Sequence, residues 1–504
     1  MVPRPARIAA LAPLALAACG GAPEPQAPPN VVILVLDTLR PDHLGTYGYD
    51  RPTSPHLDAL AEHGVVFTEA QSPAPWTAPT LISMVTGLDP AVHGVTAFPE
   101  PLRLADEVPT LAELLRDRGY ATAAFTEGGY ASGVFGLDQG FDRFEMVEGD
   151  YHADGSGPGS LAHRVDGVLD WLEARPDAPF LLFFHTFEPH LPYEIEDDAH
   201  LVAVQPDYDP VAAHARLDEV VARWNADEEL GLDELRVLAR HAHHCRLQGG
   251  TEEPRDREHL LELAADPASL RLPGSDMADP FLVDLYDAEV RYTDAQMQRL
   301  LDGLDAHGLT DDTVIAVVSD HGEAFGENGD LGHGRLLHDP VLDVVLLLAD
   351  GRGRLAPGRV DALVSTLDLT PTLLELVGVD AADLDLQGRS LVPVAAGAPG
   401  AGLAFSGTLA VVDATRDTLR TPRWRYVLDG GATAGRLYDR DDPTLPRVDV
   451  ADDHPDVAAA LHAKLLERRA EGVDLRARLG GTQQAAEVDA ALQQALDDLG
   501  YTGD

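Results

Sequence analysis

Five short, predominantly apolar runs, separated by segments with helical periodicity, constrain the fold of this chain most strongly. The runs occupy residues 31–36, 121–125, 180–184, 314–318 and 344–348. Runs of this length without polar alternation are typical of buried strands in parallel sheets. Helical patterns lie between them at 54–63, 110–118, 161–174, 286–307 and 370–377. The alternation predicts an α/β fold with a large, mostly parallel sheet sandwiched between helices.

The N-terminal segment has the pattern of a bacterial lipoprotein signal. Residues 1–18 carry Arg4 and Arg7 before an apolar run that is too short to cross a bilayer. The run ends in Leu16-Ala17-Ala18-Cys19, which resembles a lipobox. We therefore expect a lipidated Cys19, a tether over 19–29, and an extracytoplasmic protein anchored in the bacterial cell envelope. An ordinary signal peptide followed by a chance cysteine is the alternative.

The rest of the chain is predicted to form two units. The strand-and-helix pattern extends from residue 30 to 395 and is interrupted at about 195–280, where acidic helical segments predict an inserted helical region. A smaller unit follows over 396–504, with apolar strand patterns at 424–428 and 436–439 and charged helical segments after them. This composition predicts a C-terminal α+β subdomain.

Charge and lysine content exclude several functions. The chain has 85 Asp and Glu against 37 Lys and Arg, a formal net charge of −48, which disfavours nucleic acid as a partner. Lys464 is the only lysine and lies in a C-terminal helical segment. A Walker-type phosphate loop, a kinase ATP lysine and a pyridoxal Schiff base each need a lysine in the active site, so these chemistries are excluded.

Polar residues follow the predicted strands at their carboxyl ends, where open α/β sheets bind ligands. They comprise Asp37, Glu127, the segment 185–190 and the pair Asp320-His321. Two carboxylates and one imidazole at adjacent strand ends would suit a divalent cation, and the histidine favours Mn²⁺ or Zn²⁺ over Ca²⁺. The alternative is that each aspartate caps the helix after its strand.

Residues 77–87, with the sequence TAPTLISMVTG, predict a helix with an early proline and a terminal glycine. A hydroxyl in its first turn would lie where backbone N–H groups and the helix dipole stabilise an anion. A metal that lowers its pKa would make Thr77 a nucleophile. The alternative is that Thr77 only caps the helix.

Seven motifs, in their order and spacing, resemble the sulfatase family of the alkaline-phosphatase superfamily. They are 30–43 (NVVILVLDTLRPDH), 86–94 (TGLDPAVHG), 187–193 (FEPHLPY), 319–323 (SDHGE), 332–334 (GHG), 388–391 (GRSL) and 437–439 (LYD). The resemblance covers nearly the whole chain after the tether. It implies an alkaline-phosphatase/sulfatase-like fold and an enzyme that hydrolyses sulfate or phosphate esters.

The chain departs from the sulfatase signature at the nucleophile. Sulfatases carry Cys-x-Pro-Ser-Arg and oxidise its Cys or Ser to formylglycine, whereas this chain has Thr77 at that position and Leu81 in place of the Arg. Threonine cannot form formylglycine. Thr38 also replaces a commonly present second aspartate. Phosphodiesterases, nucleotide pyrophosphatases and phosphoglycerol transferases of the superfamily use a metal-bound threonine, and their ligand set is similar to Asp37, Thr77, Asp320 and His321.

The resemblance also assigns residues around the transferred group. His190 and His333 match family positions and would protonate the leaving oxygen or stabilise charge. Glu188 could alternatively join them in holding a second metal, although we favour one metal ion. Arg335 and His338 are further candidates for lining the pocket. Sulfatase precedent points to Ca²⁺, and the His ligand with the Thr nucleophile points to Mn²⁺ or Zn²⁺.

The resemblance therefore implies a sulfatase-family, metal-dependent hydrolase that forms a covalent ester on Thr77. Its substrates would be small-molecule, glycan or lipid-headgroup esters of sulfate or phosphate, and its only membrane contact would be the lipid on Cys19. One alternative is a phosphodiesterase or phosphoglycerol-transferase-like enzyme. An alternative of another class is a catalytically inactive surface protein that binds such esters. The complete set of ligand-type residues argues against the inactive protein.

Overall fold

The computed structural model describes the two predicted units and leaves the N-terminal segment outside. The described residues are 27–95, 101–146, 161–190, 193, 219–220, 222–223, 280–325, 331–334, 337–408, 416–442, 448–480 and 484–488. The predicted signal peptide, Cys19, Arg335 and most of the predicted 195–280 insert lie outside them. None of the described helices combines the length and apolar composition that a bilayer crossing needs.

Short strands and helices alternate along the chain, as the apolar pattern predicts. The strands are β1 Asn30–Leu36, β2 Gly64–Gln71, β3 Leu102–Arg103, β4 Ala121–Thr126, β5 Arg143–Met146, β6 Phe180–Thr186, β7 Thr313–Val318, β8 Ala324–Phe325, β9 Leu331–Gly332, β10 Leu346–Asp350, β11 Gly358–Ser365, β12 Ala404–Thr408, β13 Arg416–Arg420, β14 Trp424–Asp429, β15 Arg436–Asp439 and β16 Gln484–Ala485. The α-helices are α1 Pro55–Ala61, α2 Thr77–Thr86, α3 Pro90–His93, α4 Leu111–Arg116, α5 Leu161–Ala174, α6 Pro280–Ala306, α7 Asp339–Leu342, α8 Leu369–Leu376, α9 Val392–Ala395 and α10 Pro455–Leu479.

The main sheet has eight strands in the order β11-β2-β10-β7-β1-β6-β4-β5. β10 alone runs antiparallel to its neighbours, and every other pair in the sheet is parallel. β1 lies between β6 and β7, with Val35 aligned to His185 and to Val318. The predicted large, mostly parallel sheet is therefore confirmed.

Helices cover both faces of this sheet, which explains why its central strands are apolar without interruption. On β1, Val31, Ile33 and Val35 belong to the core that includes the apolar side chains of α2. The residues between them, such as Leu34, belong to the opposite core, which is built with α1, α5 and α6. A strand buried on both faces has no position at which a polar side chain can reach solvent.

The C-terminal unit is an antiparallel sheet in the order β12-β13-β14-β15, covered by α10. Leu461 and Leu465 of α10 pack against the apolar side chains of this sheet. The unit also contacts the segment that precedes α2, because the Gly407 amide donates to the Pro73 carbonyl oxygen at 3.0 Å. The C-terminal α+β subdomain is confirmed, and it supports the chain just before Thr77.

Candidate active site

The alternation of side chains along three neighbouring strands brings three polar residues to one face of the sheet. Asp37 follows β1, His185 lies near the end of β6, and Asp320 follows β7 by two residues. Each lies two positions after a strand residue that packs against the α2 face, and it is therefore on the same face of the sheet. Because side chains alternate with a period of two, all three point towards the start of α2.

Asp37, Asp320 and His321 form the centre of the site, and each is 0% exposed. One ligand atom from each lies within 4.8 Å of the other two. Oδ1 of Asp37 and Oδ2 of Asp320 have no hydrogen-bond partner within the described ranges. His321 Nδ1 lies 3.0 Å from the Gly322 carbonyl oxygen, which assigns the proton to Nδ1 and leaves the Nε2 lone pair facing the two carboxylates.

These three residues fit a divalent cation. Buried carboxylate oxygens without donors cost free energy unless a cation or donor satisfies them. Burial raises the pKa of Asp37 well above its usual range, and the nearby charges of Asp320 and Glu323 raise it further. For Asp320, burial raises the pKa, but several contacts together outweigh this effect, so the pKa lies below the usual value. These contacts are with His321, with His185 and through a hydrogen bond with Asp37. A bound cation would relieve the repulsion between the two carboxylates.

Thr77 lies against this set at the first turn of α2. Its Oγ1 donates to Asp37 Oδ2 at 3.3 Å and lies 3.2 Å from His321 Nε2. Trp76 occupies the N-cap position, so the alternative that Thr77 is only the helix cap is wrong. Asp320 does not cap a helix, because non-helical residues and then β8 follow β7. Its Oδ1 accepts the His321 amide at 2.8 Å, and its Oδ2 lies 3.5 Å from His321 Nε2.

Thr38 connects the centre to the loop that carries His190. It is the only non-glycine residue of the described chain with positive φ, at 52°. Its amide donates to Asp320 Oδ1 at 3.3 Å and its hydroxyl to the Pro189 carbonyl oxygen at 2.8 Å. A β-branched residue in this region is strained, so the surrounding bonds must hold it there. Thr38 thus acts as a connector and does not replace the missing aspartate as a ligand.

His190 and His333 lie beside the centre, as predicted. Their ring centroids are 4.9 Å apart, and the His333 ring lies 4.4 Å from that of His321. Burial lowers the pKa of His333 to about 4, so its ring is neutral near pH 7. His333 Nδ1 lies 3.2 Å from Oε1 of Glu323, a buried residue that the sequence analysis quoted in a motif but gave no role.

The carboxylate that joins the two histidines is Glu323. Ligand atoms of His190, Glu323 and His333 lie within 4.8 Å of one another. Glu188, which the sequence analysis placed in this group, is half-buried, and its charge acts on Arg164. The sequence feature that could have identified Glu323 as a site residue is its position two residues after His321.

The other positions singled out in the sequence are His338, Arg335, Cys19 and Leu81. His338 is half-buried and precedes α7, whereas Arg335 and Cys19 are not described. Leu81, in place of the signature arginine, is 1% exposed and belongs to the apolar core. The position that carries the arginine in the sulfatase signature is thus part of the hydrophobic core in this chain.

Glu127, another of the strand-end residues, holds the His190 loop in place. It forms a buried ion pair with Arg164 and accepts hydrogen bonds from the Thr186 hydroxyl and from the Phe187 amide, the latter at 2.8 Å. Those residues lead directly into the 187–190 turn, in which the His190 amide donates to the Phe187 carbonyl oxygen. Glu127 therefore positions His190 through the backbone.

Replacing Glu127 by alanine is expected to lower the free energy of unfolding by about 3–5 kcal/mol, because it leaves the Arg164 charge buried without its carboxylate. Denaturant unfolding measures the loss. Glu145→Ala is the matched control, since it removes the carboxylate of an exposed pair with Arg143 and should cost only about 0–1 kcal/mol. Equal losses in the two variants would contradict the role of the Glu127–Arg164 pair.

Comparison with known proteins agrees with this fold. The Sulfatase family model matches residues 29–379. An ulvan-active sulfatase from Formosa agariphila is 26% identical over 386 residues, which cover 72% of this chain and 64% of that protein. The chain thus spans somewhat less than two thirds of that relative.

Solved structures of similar proteins have the same fold. The BT4656 protein, in complex with its substrate D-glucosamine-2-N,6-O-disulfate, matches with a TM-score of 0.66 and 20% identity, over 89% of this chain and 98% of that one. The phosphonate monoester hydrolase of Agrobacterium radiobacter matches with a TM-score of 0.63 and 21% identity, over 88% and 96%. The family match, which extends over most of the chain, is decisive: the chain belongs to the sulfatase family of ester hydrolases.

Proposed function

We propose that this chain is a metal-dependent hydrolase of sulfate or phosphate esters in which Thr77 is the nucleophile. The observation that carries the proposal is the position of the Thr77 hydroxyl, 3.3 Å from Asp37 Oδ2 and 3.2 Å from His321 Nε2 at the first turn of a helix. Thr86 of the same helix, by comparison, donates to the Ile82 carbonyl oxygen and contacts no ligand-type side chain among the described residues.

Asp37, Thr77, Asp320 and His321 would hold one divalent cation. Such a cation supplies positive charge that lowers the pKa of the Thr77 hydroxyl and offsets charge on the transferred group. The single imidazole favours Mn²⁺ or Zn²⁺, and sulfatase precedent favours Ca²⁺. The contact between His333 and Glu323 supports one ion, because a protonated Nδ1 there gives Glu323 a role without a second metal.

In the proposed reaction, Thr77 first loses its hydroxyl proton to solvent, and Oγ1 then forms a bond to the sulfur or phosphorus atom while the bond to the ester oxygen breaks. His190 donates a proton to that leaving oxygen. With its only proton on Nδ1 and directed to Glu323, the neutral His333 presents the lone pair of Nε2 to the reacting group, where it accepts a proton from the attacking water. Water then attacks the Thr77 ester, which releases the acid product and restores the hydroxyl.

The nucleophile favours phosphorus over sulfur. A formylglycine hydrate can eliminate sulfate through its second hydroxyl group, whereas a sulfated threonine has no such group. We therefore expect phosphodiester or phosphoester turnover to exceed sulfate turnover, although the relatives named above include a sulfatase active on ulvan. We further propose that a lipid on Cys19 anchors the enzyme in the bacterial cell envelope, where it meets small-molecule, glycan or lipid-headgroup esters.

Parallel assays on p-nitrophenyl sulfate, p-nitrophenyl phosphate and bis(p-nitrophenyl) phosphate test the proposal. The purified chain is stripped with EDTA and supplied with Mn²⁺, Zn²⁺ or Ca²⁺. We expect turnover of the diester that disappears with EDTA and returns with Mn²⁺ or Zn²⁺. Faster release from the sulfate ester would contradict the preference for phosphorus. No turnover, together with retained metal binding, would support the inactive binding protein.

A further inference from the structure

His185 is a fully buried histidine that the proposed reaction does not use. It is 0% exposed and lies on β6, where it is aligned with Val35 of β1. Its Nε2 lies 3.2 Å from Oδ2 of Asp37. Its ring packs edge-on against Phe187, with ring centroids 4.7 Å apart. An apolar side chain of similar shape would fill this space without burying polar atoms, so the imidazole needs an explanation.

The contacts of His185 assign its proton to Nε2. Nδ1 has no hydrogen-bond partner in the part of the chain that the structure describes. A proton on Nδ1 would therefore be a buried donor without an acceptor, and the Nε2 lone pair would face a carboxylate oxygen. A proton on Nε2 removes both penalties, because it is donated to Asp37 Oδ2.

The two oxygens of Asp37 consequently differ. Oδ2 accepts from His185 and from the Thr77 hydroxyl, whereas Oδ1 has no donor among the described residues. A carboxylate turns readily about its last torsion, since that torsion has a broad energy profile. Donors on one oxygen fix that rotation. The oxygen left over, Oδ1, lies 3.9 Å from Nε2 of His321, on the side of the candidate metal group.

We propose that His185 is a positioning residue of the metal site, which holds Oδ2 of Asp37 so that Oδ1 faces the cation. The proposal rests on the metal site in the proposed function and adds a residue that sets its affinity. Hydrogen-bond partners of metal ligands contribute about 10- to 100-fold in metal affinity or activity, because they fix the ligand before the metal binds.

Isothermal titration of the EDTA-stripped full chain with Mn²⁺ tests this role without an activity assay. His185→Phe keeps the ring and removes the donor, and we expect it to bind Mn²⁺ about 10- to 100-fold more weakly. His185→Gln carries an amide N–H near the position of Nε2, and we expect an affinity within about threefold of the original chain, since the donor is retained. Circular dichroism of each stripped variant reports folding separately.

Several outcomes would overturn the inference. Equal Mn²⁺ affinity in His185→Phe and the original chain would show that His185 only packs in the core and does not position Asp37. Equal loss in His185→Gln and His185→Phe would show that the ring and not the donor matters. If His185→Phe fails to fold, His185→Asn replaces it, because its shorter amide cannot reach Asp37 and should also weaken binding.

Failure of the proposed function gives a different result from failure of this inference. Asp37→Ala serves as the reference variant that removes a ligand outright. If the original chain and Asp37→Ala both show no Mn²⁺ binding, the metal site itself is refuted and the role of His185 with it. If the original chain binds Mn²⁺ and only Asp37→Ala loses it, while His185→Phe does not, the metal site stands and the positioning role is refuted.

Discussion

Thr77→Ala is expected to lower kcat of the metal-loaded enzyme by about 10⁴- to 10⁶-fold, the range seen when a catalytic nucleophile is removed. The reason is that the covalent path needs an oxygen at this position, and no other described hydroxyl contacts both Asp37 and His321. Steady-state turnover of bis(p-nitrophenyl) phosphate measures the effect. Mn²⁺ binding should persist, because Asp37, Asp320 and His321 remain.

Two control variants distinguish the loss of the nucleophile from a general effect of mutating helix α2. Thr86→Ala removes a buried threonine hydroxyl from the same helix, where it bonds to the Ile82 carbonyl oxygen, and should leave turnover unchanged. Thr77→Ser restores an oxygen and should recover a measurable part of the activity. Turnover in Thr77→Ala within tenfold of the original chain would assign the attack to another group, such as a water molecule.

Asp37→Asn is expected to abolish both metal binding and turnover. The substitution keeps the size of the side chain and an oxygen for the His185 donor, but it removes the negative charge from the buried group. Loss of a charged ligand should weaken Mn²⁺ binding by more than the roughly 100-fold that an outer hydrogen-bond partner contributes. Isothermal titration and the diester assay measure the two effects.

The matched control for this variant lies at the opposite end of the sheet. Asp142→Asn changes an aspartate whose Oδ2 accepts the Thr122 amide at 3.2 Å, near the start of β4, and should preserve binding and turnover. The amino ends of parallel strands lie at the opposite end of the sheet from their carboxyl ends, so the change is remote from the site. Retained Mn²⁺ affinity in Asp37→Asn would place the metal elsewhere.

The sheet and the centre of the site could be predicted from the sequence, because the buried strands are apolar runs and the polar residues of the site follow them at their carboxyl ends. Apolar runs identified the strands that are buried on both faces, and the polar residues after them, Asp37 and Asp320, lie together as expected. β2 was missed because Thr68 and Glu69 interrupt its apolar run at half-buried positions. β11 was missed for the same reason, since much of it is exposed.

The supporting residues were harder to predict, because their roles depend on contacts between distant segments. Glu323 can be recognised as a site residue only from its contact with His333. The left-handed backbone of Thr38 depends on hydrogen bonds to residues 151 and 282 positions away in the sequence. His185 was noted only as part of a polar strand end. Its alignment with Phe183 and Leu181 on the α2 face was the available signal.

Peptide mapping by mass spectrometry after rapid acid quenching tests the central claim, covalent catalysis by Thr77, most directly. The metal-loaded chain is mixed with excess bis(p-nitrophenyl) phosphate and quenched during turnover. The account predicts that a p-nitrophenyl phosphoryl group, left after one p-nitrophenol has departed, is found on Thr77, that it is absent from Thr77→Ala, and that it disappears once substrate is exhausted. Undiminished turnover with no adduct on Thr77, or an adduct on another residue, would contradict the account.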